Sequence, residues 1–153
     1  MSDLAIPGRF LPATPPAAME RVRALEAKVR ELPQVQIPTD HVIHAGLYAR
    51  TICIPAGVIL TGAEIARATL LVFDGHAAVT IGDTTQELAG RHVLPASAGR
   101  KQAFLALADT HLTMLFATQA TDVATAEAQF TSEPDALMSR AEGAINTITI
   151  TGD

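Results

Sequence analysis

The chain has 153 residues, of which 48% are hydrophobic, and this length allows one core of ordinary size but not two full domains. A formal net charge of -5, with 11 scattered lysines and arginines, gives no basic surface for nucleic acid, so we expect no nucleic-acid partner. No apolar run approaches the ~20 residues of a membrane helix and no signal peptide opens the chain. We therefore expect a cytoplasmic protein without a membrane partner. The single cysteine, Cys53, excludes an intrachain disulfide and is expected to serve packing.

The first 33 residues predict an arm followed by one helix. Residues 1–16 are rich in proline and lack periodicity, which indicates an arm that becomes ordered only where it docks. Thr14 is a candidate helix cap, and apolar residues at spacings of three and four predict an amphipathic helix over residues 17–33, ended by Pro33. The apolar stripe comprises Met19, Val22, Leu25, Val29 and Leu32. It needs a partner, which is either the outside of a barrel or the same helix of a second chain.

Between residues 34 and 120 the apolar period becomes two, which is an all-β signature. Strands are predicted over residues 34–37, 47–54, 58–60, 68–73, 77–81, 84–88, 92–94, 102–107 and 112–117. Asp74-Gly75, Gly82-Asp83 and Ala89-Gly90 are among the turn signals that separate them. Eight or more short strands without intervening helices must close on themselves to hide their edges, so a jelly roll or barrel is expected.

Residues 121–153 predict a short extension. A helix runs from Asp122 to Phe130, and Pro134 opens a second one that extends through Met138 with Ser132 as its cap. Alternating Ile and Thr over residues 145–151 predict a terminal strand. This strand is either disordered or added to a sheet edge, which could belong to a second chain.

Several glycine-punctuated motifs carry a resemblance to a known superfamily. They are Pro55-Ala56-Gly57, Leu60-Thr61-Gly62, Asp74-Gly75, Leu88-Ala89-Gly90 and Gly99, and together they resemble the cupins. His41, His44 and the run from Gly46 to Arg50 more closely resemble small cupin-like proteins of tailed bacteriophages and prophages. The resemblance covers about residues 32–123 and implies a mainly β, cupin-like jelly-roll barrel, here with an N-terminal amphipathic helix and a short helical C-terminal extension.

The resemblance also implies a metal site, and this chain departs from it. Relatives carry histidine at the positions of Ile65, Thr69 and Leu107, and none of these side chains here offers an imidazole. A divalent metal in such a barrel needs about three imidazoles and often a carboxylate. We therefore expect no metal and no other cofactor, and metal-dependent enzyme chemistry is disfavoured. A site built from His41, His44 and one further histidine remains the alternative.

The same register predicts what fills the pocket instead. If Ile65 and Thr69 point inward, a period of two places Arg67 inward with them, and Leu107 brings Asp109 and His111 to the same side. Arg67 is then either paired internally, with Glu64 or Asp109, or it holds the anionic group of a ligand. Arg67, Asp109, His111 and Tyr48, the last on the 47–54 strand, are the candidate ligand-binding residues. Arg100-Lys101 is interpreted as a solvated turn.

Two functional hypotheses follow from the sequence. The first is a non-catalytic, metal-free, cupin-like module for assembly or binding, encoded by a phage or prophage, cytoplasmic or virion-associated, and homodimeric, with a phage or host protein as a further partner. The second is a protein or enzyme that binds a small anionic ligand through Arg67. The arm, the helix stripe and the terminal strand favour the first hypothesis because a monomer has difficulty burying all three.

Overall fold

A computed structural model describes residues 10–152, and strands are its most abundant elements. The elements in chain order are α1 (Pro16–Val29), β1 (Thr39–His44), β2 (Leu47–Ile54), β3 (Ile59–Thr61), β4 (Thr69–Ile81), β5 (Thr84–Ala96), β6 (Ala103–Ala106), β7 (Thr110–Ala117), α2 (Val123–Phe130) and β8 (Asn146–Ile150). Two 3-10 turns, Pro134–Ala136 and Met138–Arg140, lie between α2 and β8. The predicted mainly β architecture, with an N-terminal helix and a short helical C-terminal extension, is confirmed.

One curled sheet carries the core on its inner face. Its strand order is β3-β6-β4-β7-β2-β1-β8, with β5 paired to the other edge of β4. Neighbouring strands are antiparallel except β1 and β8, which run parallel. Inward residues alternate with outward ones along each strand, as a sheet with one covered face requires. The most completely buried side chains of the core include Leu11, Tyr48, Ile54, Phe73, Val79, Leu94 and Phe130.

The first hairpin explains two errors in the predicted strands. Residues 34–37 form no strand, and β1 begins after Pro38, where no strand was predicted. β1 pairs with β2 through a two-residue loop, Ala45-Gly46, in which both residues have positive φ angles of 54° and 71°. Such a loop usually carries Asn-Gly or Asp-Gly, and alanine adopts this conformation at a cost of about 1 kcal/mol. The unusual alanine therefore concealed the turn, and with it β1, where His41 and His44 lie.

Gly75 lies inside a strand, although Asp74-Gly75 was predicted to be a turn. The predicted strands 68–73 and 77–81 form the single strand β4, and 84–88 and 92–94 form β5, with Gly75 opposite Gly90 in the ladder. β4 pairs with β7 before Gly75 and with β6 after it. A Cβ at Gly75 would lie 2.6 Å from Thr110 Cα, so glycine is required by the close approach of two backbones. His76, predicted in this turn, lies in β4.

The helix α1 packs on its own sheet. Ala18 and Val22 are each 4% exposed, and the helix contacts β3. Val22 of the apolar stripe is thus covered by the chain's own sheet, whereas Leu32 at the end of the stripe is 56% exposed. Thr14 is not the helix cap, because Pro15 holds that position, and Thr14 Oγ1 instead donates to Lys101 O at 3.1 Å.

The described part of the arm docks on β5. Leu11 N donates to Pro95 O, and Leu11 is fully buried against the core. Residues 1–9 of the predicted arm lie outside the described residues. Within residues 10–152 no helix has both the length and the apolar character needed to cross a bilayer.

The C-terminal extension returns to the sheet. Asp122 caps α2 by accepting a hydrogen bond from Thr125 N, whereas the second predicted helix is two 3-10 turns without a Ser132 cap. The terminal strand forms as predicted, and its partner is β1 of the same chain. All five residues of β8 are exposed, so backbone pairing and a few side-chain hydrogen bonds hold it in place.

Replacing Gly75 tests the close approach of the β4 and β7 backbones. We expect Gly75→Ala to lower the free energy of unfolding by about 1–3 kcal/mol or more, because the added Cβ overlaps Thr110. Gly62→Ala is the matched control, since its Cβ would lie at an ordinary 3.6 Å from Gln102 O and should change stability by less than about 0.5 kcal/mol. Chemical denaturation measures both variants. Equal stabilities would show that β4 and β7 do not cross as closely as described.

Candidate functional site

A cavity of about 190 Å³ opens between the curled sheet and the C-terminal extension. The sheet supplies its apolar wall through residues of β2, β3, β4, β6 and β7, together with Ile65, which follows β3. These residues are Ile52, Leu60, Ile65, Leu71, Phe104, Leu112 and Met114. The extension supplies the opposite wall with Phe130, Thr131, Glu133, Ala136, Leu137 and Met138. An apolar concave site with a few polar groups is the usual form of a small-molecule site.

Charged side chains near the helix side of the cavity are neutralised locally. Lys101 Nζ donates to Glu26 Oε2 at 2.8 Å and to Gly62 O at the same distance. Glu64 accepts from Arg23 Nη2 at 2.7 Å. These contacts tie α1 to the segment that follows β3 and to Lys101 just before β6, and they leave little free charge at that edge of the cavity.

Ion pairs around one buried carboxylate join the sheet to the extension. Glu127, which is 3% exposed on α2, accepts from Arg50 Nη1 and Arg140 Nε, both at 2.8 Å, and from Ser139 Oγ at 2.5 Å. Burial raises the pKa of Glu127, but the hydrogen bonds from Ser139, Arg140 and Arg50 outweigh it and hold the pKa below its usual value. Glu127 therefore stays ionised. Arg50 also lies 5.5 Å from the Phe130 ring centroid, so it lines the cavity with its charge already satisfied.

A buried hydrogen-bonded chain continues from this cluster to β8. His41 Nδ1 lies 2.7 Å from Tyr48 OH, and His41 Nε2 lies 2.7 Å from Asn146 Oδ1. Asn146 Nδ2 donates to Ser139 O, so its Oδ1 must accept, and the ring must donate from Nε2. Nδ1 then accepts from the Tyr48 hydroxyl, and His41 is neutral. Burial lowers the pKa of His41, outweighing the hydrogen bond to Asn146 that raises it.

Arg100 is the buried guanidinium of the cavity. It is 2% exposed and lies just before β6, and its Nη1 donates to Ser97 O at 2.8 Å and its Nη2 to Thr69 Oγ1 at 2.7 Å. The backbone of the same residue bridges Ile65. The prediction that Arg100-Lys101 forms a solvated turn is wrong, since both residues are buried.

Arg67 does not line the cavity. Its guanidinium carbon lies 4.3 Å from the Phe116 ring centroid, and Nη2 donates to Ala117 O at 3.2 Å. Neither predicted internal partner pairs with it, because Glu64 binds Arg23 and Asp109 accepts from Ala56 N at 2.9 Å. The register argument failed because β4 begins only at Thr69, so residues 65–68 do not alternate as a strand would.

The other candidate residues are dispersed. His111 is exposed on the outer face of β7, opposite Cys53 of β2, and Asp109 is exposed in the loop before β7. Tyr48 is fully buried and hydrogen-bonded beside the cavity without lining it. None of these four candidates lines the cavity between the sheet and the extension.

The three positions at which relatives carry metal-binding histidines lie in different surroundings. Ile65 lines the cavity as predicted, and Thr69 is buried beneath it against Arg100. Leu107 is 47% exposed, so the prediction that it points inward is wrong. Phe104 and Ala106 of β6 are buried, whereas Leu105 and Leu107 are exposed, so the alternation differs by one residue from the predicted register.

The cavity's donor groups do not fit a transition metal. Its lining contains no His or Cys, and two of its three carboxylates, Glu26 and Glu64, are engaged by lysine or arginine. Within residues 10–152 no three His, Cys, Asp or Glu side chains converge as metal ligands. The alternative that His41 and His44 share a metal also fails in the described geometry, because His41 points inward to Tyr48 and His44 outward to Thr151.

Sequence reasoning missed Arg50, Arg100 and Glu127 as site residues. Glu127 gave a usable signal, because it is the only charged residue in the otherwise apolar and small-residue helix α2. Arg50 alternates with Tyr48 and Ile52 on one strand face, and this spacing was a signal for an inward cation. Arg100 gave no comparable signal, since an Arg-Lys pair after a glycine is typical of exposed turns.

Comparison with solved structures finds similar chains among cupins. One is a cupin superfamily protein of Desulfitobacterium hafniense DCB-2, 14% identical, covering 60% of this chain and 87% of its own, with a TM-score of 0.45. KdgF from Halomonas sp. is 19% identical, and the match covers 57% of this chain and 86% of KdgF with a TM-score of 0.45. The Cnp3 cupin domain of Schizosaccharomyces pombe is 15% identical, and the match covers 60% of this chain and 67% of that domain with a TM-score of 0.44. No protein-family model and no curated protein matched the sequence. Similarities of this size carry no information on ligand or activity.

The neutral state of His41 predicts a pH dependence of stability. Because its folded pKa lies below the ordinary value of 6.5, the unfolded chain binds a proton first as the pH falls. The contribution of His41 is therefore complete above about pH 6.5 and is lost as the pH falls below that value toward the folded pKa. Thermal unfolding between about pH 8 and pH 5.5 should show a decrease in Tm that is smaller in His41→Gln. Identical slopes in the two proteins would contradict the assignment.

Proposed function

We propose that this chain is a cupin-like, metal-free and non-catalytic binding module that takes a small molecule into the cavity between its sheet and its C-terminal extension. The observation that carries the proposal is the cavity itself. It has an apolar wall built from the sheet and a second wall held in place by the Glu127 ion pairs. A site with a fixed scaffold and a separately anchored cover suits reversible binding.

The chemistry of the lining supports binding in preference to catalysis. The residues that line the cavity include no His or Cys, and Arg50, Lys101 and Glu26 are held in ion pairs. A nucleophile with an adjacent general base, which covalent catalysis requires, is not among them. We therefore favour the binding hypothesis over the enzyme that the sequence left open.

The size of the cavity limits the ligand. An apolar cavity of roughly 150 Å³ in another protein binds benzene. The cavity described here is about 190 Å³. It accommodates a benzene ring with one small substituent, which makes benzamide a suitable neutral probe.

A cavity-filling variant tests this proposal. We expect saturation-transfer NMR to show that benzamide binds the native chain, and that Ala63→Phe weakens binding by about tenfold or more because the ring occupies the cavity. Ala128→Phe adds the same ring to an exposed position of α2 and should bind benzamide normally. Absence of transfer to benzamide, or equal binding by Ala63→Phe, would overturn the proposal.

The metal-free part of the proposal has its own measurement. Because the cavity lining offers no imidazole and two of its three carboxylates are engaged by cations, we expect far less than one zinc, iron, manganese or nickel per chain. Elemental analysis after purification without an affinity tag measures it. A stoichiometric metal that is lost in His41→Gln or His44→Gln would contradict this part alone.

The biological setting rests on His41, His44 and the run from Gly46 to Arg50, which resemble small cupin-like proteins of phages and prophages. On that basis we propose phage or prophage encoding, with a cytoplasmic or virion-associated location and a phage or host protein partner. The cavity proposal does not depend on this setting, since it derives from the lining residues.

A second candidate role is assembly as a homodimer, and the outer face of the sheet favours it. Cross-strand register places Val42, Ala49, Leu115, Leu70 and Pro95 in one row across five strands, here called the outer apolar row. Beside it lies Val93, which is 57% exposed, and the neighbouring Thr51 and Thr113 hydroxyls bond each other at 2.8 Å. The centre of this face is uncharged, so a second copy meets no like-charge repulsion there.

Charge introduction on this face tests the dimer. Light scattering should show a dimer for the native chain, and Val93→Glu should give a monomer because each copy would bury a carboxylate in the interface. Thr85→Glu is the control, since it adds the same charge to an exposed position of β5 away from the outer apolar row. A monomeric native chain, or a dimeric Val93→Glu, would eliminate this interface.

A further inference from the structure

The cavity contains one buried cation that no carboxylate of the described residues neutralises. Arg100 is 2% exposed, and both of its acceptors, Ser97 O and Thr69 Oγ1, are uncharged. Its Nε has no hydrogen-bond partner among residues 10–152. A buried charge without a counter-ion is costly, and proteins usually pair it.

The other cations of the cavity differ from Arg100 in this respect. Arg50 pairs with Glu127 and Lys101 with Glu26, each at 2.8 Å. Arg30, which is largely exposed at the rim, lies 3.5 Å from Glu26. Within the described residues, Arg100 is therefore the cavity cation that lacks a carboxylate.

Burial affects this group as expected for an uncompensated charge. It lowers the pKa of Arg100 to about 10, with no opposing contribution from an anion. The guanidinium nevertheless stays protonated at neutral pH. The cavity accordingly presents a fixed positive charge beneath an apolar wall.

We propose that the ligand of this cavity is a small carboxylate with an apolar body, and that Arg100 is the group that neutralises it. This inference rests on the proposed binding function and specifies its ligand class. A planar carboxylate can be held by the charge of a guanidinium, and charge-assisted contacts are stronger at a site shielded from water. The apolar residues Ile65, Leu112 and Met114 would cover the rest of the molecule.

The lining favours a carboxylate over phosphate. Phosphate carries more charge and three strong acceptor oxygens that each require donors. Arg50 and Lys101, two other cations of the cavity lining, already donate hydrogen bonds to Glu127, Ser139, Glu26 and Gly62. Seven apolar side chains form the sheet wall of the cavity, and they suit a hydrocarbon body better than a second hydrated anion.

Comparing benzoate with benzamide isolates the charge, because the two molecules have nearly the same shape. We expect the native chain to bind benzoate at least about tenfold more tightly than benzamide at low ionic strength, as a charge-assisted contact implies. Saturation-transfer NMR or calorimetry measures both. This comparison requires no variant, so it remains decisive even if substitutions at Arg100 impair folding. Inorganic phosphate, added as a competitor, should not displace benzoate.

Paired variants then identify the residue. Arg100→Gln should remove the benzoate preference, whereas Arg67→Gln, the same change at a cation outside the cavity, should retain it. Thr69→Val removes one hydrogen bond of Arg100 but keeps its charge, and it should also retain the preference. Retention of the preference in Arg100→Gln would overturn the assignment.

The outcomes separate this inference from the proposed function. Equal binding of benzoate and benzamide would refute the carboxylate ligand and leave the cavity as a binding site for neutral molecules. Binding of neither would refute both proposals. Displacement of benzoate by phosphate would replace the carboxylate class with a general anion site.

Discussion

The buried carboxylate of Glu127 is the contact on which the rest of the site depends. It receives hydrogen bonds from Arg50 on β2 and from Arg140 and Ser139 in the second 3-10 turn, so one anion fastens the extension to the sheet. Phe130, Leu137 and Met138 reach the cavity because this segment is fixed there. The position of β8 follows from the same anchor through Ser139 and Asn146. Without the ion pairs, the cavity would lose its second wall.

Ion pairs of this kind specify an arrangement more than they stabilise it. Desolvating Glu127 and Arg50 costs much of what their attraction returns, and two apolar residues in their place could be equally stable. What the charges provide is a unique partner for each group, because a buried cation left unpaired is strongly disfavoured. The cavity contains both situations. Arg50 is neutralised by Glu127, whereas Arg100 has no carboxylate partner among the described residues. The unneutralised positive charge therefore lies at the site where a ligand would bind.

Sequence patterning predicted the elements whose partners are implied by their own periodicity. β2 was predicted over residues 47–54 and forms there, and α1 and the terminal strand appear near their predicted positions. Failures arose where long-range contacts decided the structure. Gly75 looks like a turn residue, yet it lies within β4, where the backbones of β4 and β7 approach closely. The hairpin at Ala45 was missed because glycine or asparagine, the usual residues at such a positive φ angle, is absent from that position. The inward cation was predicted to be Arg67, whereas Arg50 and Arg100 line the cavity, because residues 65–68 lie outside any strand and do not alternate as the prediction assumed.

The central claim is that Glu127 holds the extension in place, and amide hydrogen exchange in β8 tests it most directly. Glu127→Gln keeps the shape of the side chain and removes its charge, so protection of the Asn146–Ile150 amides should fall by about tenfold or more, while the β4 and β5 amides change less. Asp135 also pairs with Arg140, but its side chain is 97% exposed. Asp135→Asn should therefore leave the protection of β8 unchanged. Unaltered protection of β8 in Glu127→Gln would contradict the claim.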